Sequence, residues 1–226
     1  RAAGARVLHG IDFDLAPGEI LGIGGLLGAG RTELLQSLFG AAEGSVRGEI
    51  RVGGRRVTPS SPRQARALGI GLVTEDRKAE GLHVAGTITE NVALPRVGDL
   101  SHWGVRGFAR ERELARDAIE RLRIRCEGPG QVAGTLSGGN QQKVVIGKWL
   151  ATSPRILLLD EPTRGIDVGA KREIYDLVFR LAEAGMALVV VTSELPELLL
   201  LADRILVLAE GRQTGILARA DASEEA

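Results

Sequence analysis

The chain has 226 residues, 44% apolar and 26% charged. That is ordinary globular composition, long enough to bury roughly 70% of the unfolded surface with neither disulfides nor metals as staples. Its 29 basic and 29 acidic side chains cancel, which speaks against nucleic-acid binding, where a basic footprint is expected. Cys126 is the only cysteine, so no intrachain disulfide forms and the cytosol fits. No apolar run approaches the ~18–20 residues that span a bilayer, and the densest stretch, Leu195 to Leu201, is broken by Pro196 and Glu197. Any membrane connection therefore runs through a partner. The chain opens on Arg1 and its only methionine is Met186, so it reads as a piece of a longer protein. The small acidic tail from Ala220 to Ala226 is expected to be loosely ordered.

Taken in chain order, Arg6 to Leu15 sets Val7, His9, Ile11, Phe13 and Leu15 on one side, the period of a half-buried strand. Pro17-Gly18 turns the chain, and Ile20 to Ile23 reads as a buried strand entering a glycine loop. Thr32 to Phe39 is helical, with Leu34, Leu35 and Leu38 on one side. Gly53-Gly54 marks a hairpin within Gly48 to Val57. A short helix after Pro62 precedes a strand from Ile70 to Val73. Strand signals then vanish as far as Gln131, and Arg110 to Arg123 is a charged amphipathic helix with Leu114, Ala118, Ile119 and Leu122 inward. Residues 76 to about 150 read as a helical insertion. Beyond it come strand Ile156 to Leu159, helix Val168 to Ala184, strand Ala187 to Val191, a helix from Leu195, and strand Ile205 to Leu208. That alternation implies a mainly parallel sheet covered on both faces.

Three segments carry chemistry. Gly25-Leu26-Leu27-Gly28-Ala29-Gly30-Arg31-Thr32 has the spacing G-x-x-x-x-G-K-[ST] of a P-loop, in which consecutive N–H groups face phosphate oxygens and Thr32 is placed to ligate Mg²⁺. Its departure is Arg31 in place of lysine, a planar fork where the motif uses a compact point charge. Read blandly, the same loop is a glycine turn capping a helix. Asp160 and Glu161 end an apolar strand at the sheet's carboxyl edge, where ligands of open α/β sheets gather; one carboxylate can support a metal and the other can orient water. The turn at Ser137-Gly138-Gly139 opens a helix and offers a hydroxyl and free N–H groups to an anion, although Ser137 could equally be a plain N-cap. Asp167 could likewise cap the helix that starts at Val168.

The strings Leu136-Ser137-Gly138-Gly139-Asn140-Gln141-Gln142-Lys143 and Leu159-Asp160-Glu161-Pro162, with the glycine loop, resemble the nucleotide-binding domain of an ABC transporter. The likeness is closest to the C-terminal half of the fused ATP-binding subunits of bacterial ribose-, galactose- and xylose-type importers, and runs from about Val7 to Leu217. It implies an α/β P-loop NTPase with a mainly parallel core sheet, a small N-terminal antiparallel β subdomain and a helical insertion: one domain over 1–226, with core 1–75 and 151–219 and helical part 76–150. It implies ATP and Mg²⁺ as cofactors, with Gly25, Gly28, Ala29, Gly30, Arg31, Thr32 and Glu33 at the nucleotide and Thr32, Glu75 and Asp160 toward the metal. By the same resemblance Glu161 polarises the attacking water. Ser137, Gly138, Gly139 and Asn140 close over a nucleotide held by a partner domain, and Asp167 ends the D-loop Thr163 to Asp167. Glu75 stands where the family has Gln, Ser193 where it has a switch His, and Thr74 where Pro is usual. Serine cannot supply imidazole's geometry or charge.

Arg31, Glu75 and Ser193 all belong to the site this domain builds with its own P-loop, whereas the signature serving the other site is intact. An impaired own site is the expectation. The implied partners are a second ATP-binding domain (the N-terminal half of the same full-length chain), transmembrane permease subunits and, indirectly, a periplasmic or lipoprotein solute-binding protein, with no nucleic acid. The implied place is the cytoplasmic face of the plasma membrane, and the cargo a monosaccharide. A non-hydrolytic ATP-dependent clamp within a nucleoside importer is the alternative; a soluble relative acting on ribosomes or DNA fits the zero net charge less well. His83 and His102 read as surface or packing histidines, Trp149 as core, and Trp103 as packing or a transporter contact. Arg77 and Lys78 read as solvated charges or a membrane-partner contact. Cys126 lacks the bases that would make it a nucleophile.

Overall fold

A computed structural model describes residues 8–101 and 106–222. They fall into two compact units, one within Arg1–Leu72, Arg155–Glu161 and Phe179–Ala226, the other within Val73–Pro154 and Pro162–Val178. Segment 162–178 thus lies with the second unit. His102 and Trp103 fall outside the described residues, as do the last four of the tail.

The first unit is built on a sheet ordered β4-β5-β6-β1-β7-β8, from β1 (Ile20–Gly25), β4 (Ile70–Val73), β5 (Ile156–Asp160), β6 (Ala187–Val191), β7 (Arg204–Ala209) and β8 (Arg212–Ala218). β1 runs parallel to both β6 and β7, and β5 parallel to β6. Only β8 is antiparallel to its neighbour. Leu157, Leu158 and Leu159 are buried to at least 99%; at about 1.5–3 kcal/mol per buried aliphatic side chain, they anchor the strand that delivers Asp160. A separate two-stranded antiparallel sheet, β2 (Ile50–Val52) and β3 (Arg55–Val57), turns at Gly53-Gly54 as the sequence predicts.

Helices α1 (Arg31–Phe39) and α2 (Pro62–Ala67) belong to this unit, as does α8 (Leu195–Leu201). α8 lies close on β1: a Cβ at Gly22 would meet Ala202 Cβ at 2.8 Å and Leu198 Cδ2 at 2.9 Å. Glycine in mid-strand, normally a weakness, is here the condition for that approach.

The second unit holds α3 (Ile88–Ala93), α4 (Val97–Leu100), α5 (Phe108–Leu122), α6 (Gly138–Leu150) and the start of α7 (Val168–Glu183). Thr87 and Glu90 form a capping box at α3. α6 is buried from Gln141 through Lys148, charged residues included. Burial pushes the Lys148 ammonium down to about 8, and it donates to the Gly81 carbonyl. Among the described residues no helix is long and apolar enough to cross a membrane.

Three expectations need correction. Residues 9–15 do alternate between half-buried and exposed, but they form no strand. Gly10 has φ 62°, which breaks the extended run, and one bridge remains between His9 and Arg212. On α5 the buried positions are Glu111, Ala115, Ala118 and Leu122, while Leu114 and Ile119 are only half-buried. Arg106 makes a two-pronged ion pair to the buried Glu111 at 3.0 and 2.6 Å, which satisfies that carboxylate. Strand β8 was not expected; its signal is the Glu210-Gly211 turn, with φ of 49° and 73°.

Candidate nucleotide site

Sheet topology assembles the site in the first unit. Asp160 pairs in register with Val191, which pairs with Ile23, so β5, β6 and β1 deliver Asp160, Thr192 and the glycine loop to one edge. The loop 25–30 stands out from that edge, with Leu26 and Leu27 exposed by 86% and 95%. Gly25 has φ 149°, and a Cβ there would lie 2.3 Å from the Leu208 carbonyl oxygen. Gly25→Ala is therefore expected to lower unfolding stability by about 2–3 kcal/mol, read from urea denaturation; an unchanged midpoint would contradict this close packing. Gly211 N donates to Ala29 O at 2.9 Å, which ties the loop to the β7–β8 turn. α1 begins at Arg31 behind Gly30, with no side-chain cap on its first turn. Uncapped N–H groups of that kind, at the positive end of a helix dipole, suit an anion.

The Arg31 side chain does not extend along the loop. It is only 7% exposed and folds back, donating from Nη1 to the Thr192 carbonyl at 2.7 Å, with Nη2 3.6 Å from Glu161 Oε1. Ser193 Oγ donates to Glu161 Oε2 at 3.3 Å. Both oxygens of Glu161 are thus engaged, and its backbone is held at φ 46°. Buried charges persist when paired, and Arg31 with Glu161 is such a pair.

Burial pushes the Asp160 carboxyl up to about 6; a hydrogen bond from Thr32 opposes the rise, Glu161 and Glu33 add to it, and Arg31 reduces it. Asp160 Oδ1 is buried without a hydrogen-bond partner. An orphaned carboxylate oxygen beside a threonine hydroxyl is the hard oxygen donor set that Mg²⁺ takes. These residues fit the metal.

The other expected positions lie in the second unit. Glu75, expected toward the metal, has its carboxylate ion-paired with Arg164. Arg77 is half-buried, and its guanidinium donates to the carbonyls of Arg164 at 2.8 Å and Gly165 at 3.0 Å. Lys78 is exposed, and its N–H donates to Asp76. Ser137 stands at the N-cap position of α6 but makes no cap bond; its exposed hydroxyl accepts from Asn140 Nδ2 at 2.9 Å. Asp167 does cap α7, accepting from Ala170 N at 2.9 Å. Gly139 is required by packing, since a Cβ would lie 2.4 Å from Ala170 Cβ.

Sequence reading missed the braces behind these positions. Lys143 Nζ donates to Glu173 Oε2 and Arg125 to Glu173 Oε1, at 2.6 and 2.8 Å. The hydrogen bond from Lys143 holds the Glu173 carboxyl below its ordinary value. Thr192 Oγ1 donates to the buried Glu197 at 2.9 Å. The Thr192 carbonyl that receives Arg31 is a backbone atom with no sequence signature. His83 is exposed, Trp149 half-buried with its ring 5.6 Å from Lys148 Nζ, and Cys126 partly buried.

A mainly parallel sheet with a glycine loop leaving β1, and two acids at the end of the next strand but one, defines the P-loop NTPase fold. Within that class the chain belongs to the ABC transporter family, whose model matches residues 8–164. It is 48% identical over 225 residues to the ribose import ATP-binding protein RbsA of Bacillus licheniformis, covering 100% of this chain and 45% of that protein. It is 46% identical over 222 residues to the xylose import ATP-binding protein XylG of Geobacillus kaustophilus, covering 98% of this chain and 44% of that protein. The chain therefore spans less than half the length of these relatives. Among solved structures, a dimeric ATP-binding cassette in a post-hydrolysis state with ADP and Pi aligns at TM-score 0.78 and 25% identity, over 94% of this chain and 90% of that one. A nucleotide-free cassette aligns at TM-score 0.81 and 20% identity, over 98% and 89%, which speaks for the fold alone.

Proposed function

We propose that this chain is an ATP-binding domain that powers import of a monosaccharide, that its own P-loop site is impaired, and that its intact signature turn serves the site of a second ATP-binding domain in the same full-length protein. The observation that carries this reading is the uncapped first turn of α1 behind the glycine loop, at the sheet edge that also carries Asp160 and Glu161. Ribose and xylose import proteins as relatives support the cargo class. Permease subunits, a solute-binding protein met indirectly, and the cytoplasmic membrane face belong to the same proposal, with core 1–75 and 151–219 and helical part 76–150 acting as one domain.

The N–H groups of the loop and of α1 hold the phosphates. Thr32 and Asp160 would hold Mg²⁺, which would supply charge neutralisation at the phosphates. Glu161 orients water only after Arg31 and Ser193 release its oxygens, and Ser193 offers no imidazole, so turnover here is slow. The hydroxyl of Ser137 and the N–H groups after it are presented to the partner's nucleotide.

In the full-length protein, Mg²⁺-dependent binding of an ATP analogue is expected to be saturable. Ser137→Arg is expected to cut total ATPase activity by roughly 10²-fold, the usual cost of losing a transition-state donor. Glu161→Gln is expected to cost less than about 3-fold, far below the ~10²–10⁴ of an essential proton-handling group. A large loss with Glu161→Gln would sink the claim of an impaired site, and absence of analogue binding would sink the whole reading.

A further inference from the structure

Three segments of the second unit meet at one guanidinium. Arg77 spends three N–H groups on three acceptors: Nη1 on the Arg164 carbonyl at 2.8 Å, Nη2 on the Gly165 carbonyl at 3.0 Å, and Nε on Gln141 Oε1 of α6 at 3.5 Å. The Arg164 side chain returns to the same segment and pairs with Glu75. Arg164 is thus gripped at its backbone by Arg77 and at its charge by Glu75. The guanidinium also lies on the signature turn: a Cβ at Gly138 would fall 2.9 Å from Arg77 Nη2 and 3.2 Å from Gly165 O. Gly138 is glycine because the clasp occupies the space a side chain would need. Gly165, at φ 66°, holds a left-handed conformation that favours glycine, with its carbonyl turned to the clasp.

We infer that Glu75, Arg77 and Arg164 are positioning residues which lock segment 75–77, the loop 163–167 and the signature turn into one body, so that displacement of one is transmitted to the others. The geometry is specific to arginine. Its rigid planar fork spans two successive carbonyls and a side-chain amide, whereas the donors of lysine radiate from a single atom. The inference concerning turnover rests on the function proposed above; the clasp itself does not.

The test uses the full-length protein carrying Arg77→Lys, with Glu75→Arg/Arg164→Glu as a charge-exchanged companion. Hydrogen exchange at the amides of residues 164–167, measured without nucleotide, is expected to quicken roughly tenfold in Arg77→Lys, the effect of losing about 1.4 kcal/mol of local protection. Exchange within twofold of wild type would overturn the clasp. ATPase kcat is expected to fall roughly tenfold with KM for ATP within about twofold, because the glycine loop and Asp160, which carry the nucleotide and its metal, lie outside the clasp. The charge-exchanged protein is expected to recover most of the kcat lost in Glu75→Arg alone. A raised KM at constant kcat, or no recovery by exchange, would overturn the coupling. If wild-type protein binds no nucleotide, the proposed function fails while the exchange measurement still decides the clasp.

Discussion

Asp160→Asn is expected to make the nucleotide-free protein more stable at pH 8 than the wild type, while removing its stabilisation by Mg²⁺ and ATP. The Asp160 carboxyl sits near 6 in the folded protein against an ordinary 3.8. Between those values the folded state binds more protons than the unfolded one, so stability falls as pH rises from about 4 to about 6 and is flat above. The displacement corresponds to roughly 3 kcal/mol of charge held in a dry place. Asparagine keeps the shape, carries no charge and removes that slope, giving an expected gain of about 1–3 kcal/mol at pH 8 and none at pH 4. Urea denaturation of both proteins across pH 4–8 measures it; parallel curves would show that Asp160 is not the group responsible. In the wild type, Mg²⁺-dependent nucleotide affinity is expected to fall below pH 6, where a proton competes with the metal for the same carboxylate.

Arg31→Lys is expected to raise turnover at this domain's own site by roughly tenfold, part of the ~10²–10⁴ carried by one proton-handling group. In the wild type the buried guanidinium reaches both the Thr192 carbonyl and Glu161. A lysine ammonium is one compact donor centre and cannot span that pair while also meeting a phosphate. Glu161 would then be released toward water, although Ser193 would still lack what a histidine supplies. The gain should vanish in the double variant Arg31→Lys/Glu161→Gln. A gain that survives the second substitution, or no gain at all, would show that Arg31 does not restrain Glu161.

What the sequence disclosed followed from local periodicity and turn chemistry. Ile70 to Val73 and Ala187 to Val191 are continuous apolar runs, and the strands have those bounds. The glycine loop was legible because its spacing is a backbone requirement, borne out in Gly25 at φ 149°. The alternation of residues 9–15 reported burial correctly yet not pairing, since one glycine at φ 62° removes the ladder without disturbing the pattern. The burial of Glu111 has no signal in the helix period, because its partner Arg106 lies before the helix begins. Arg31, Glu75 and Arg77 were visible as departures or candidates, but where their charges go depends on carbonyls and acids far along the chain. Motif spacing cannot encode that.

The hydrogen bond from Gly211 to Ala29 gives the β7–β8 hairpin an influence beyond its own edge. The cradle for phosphate leans on a turn encoded some 180 residues later. A nascent fragment that already contains every glycine of the cradle therefore still lacks the strut that fixes its shape. The cradle's shape is complete only once β7 and β8 have paired.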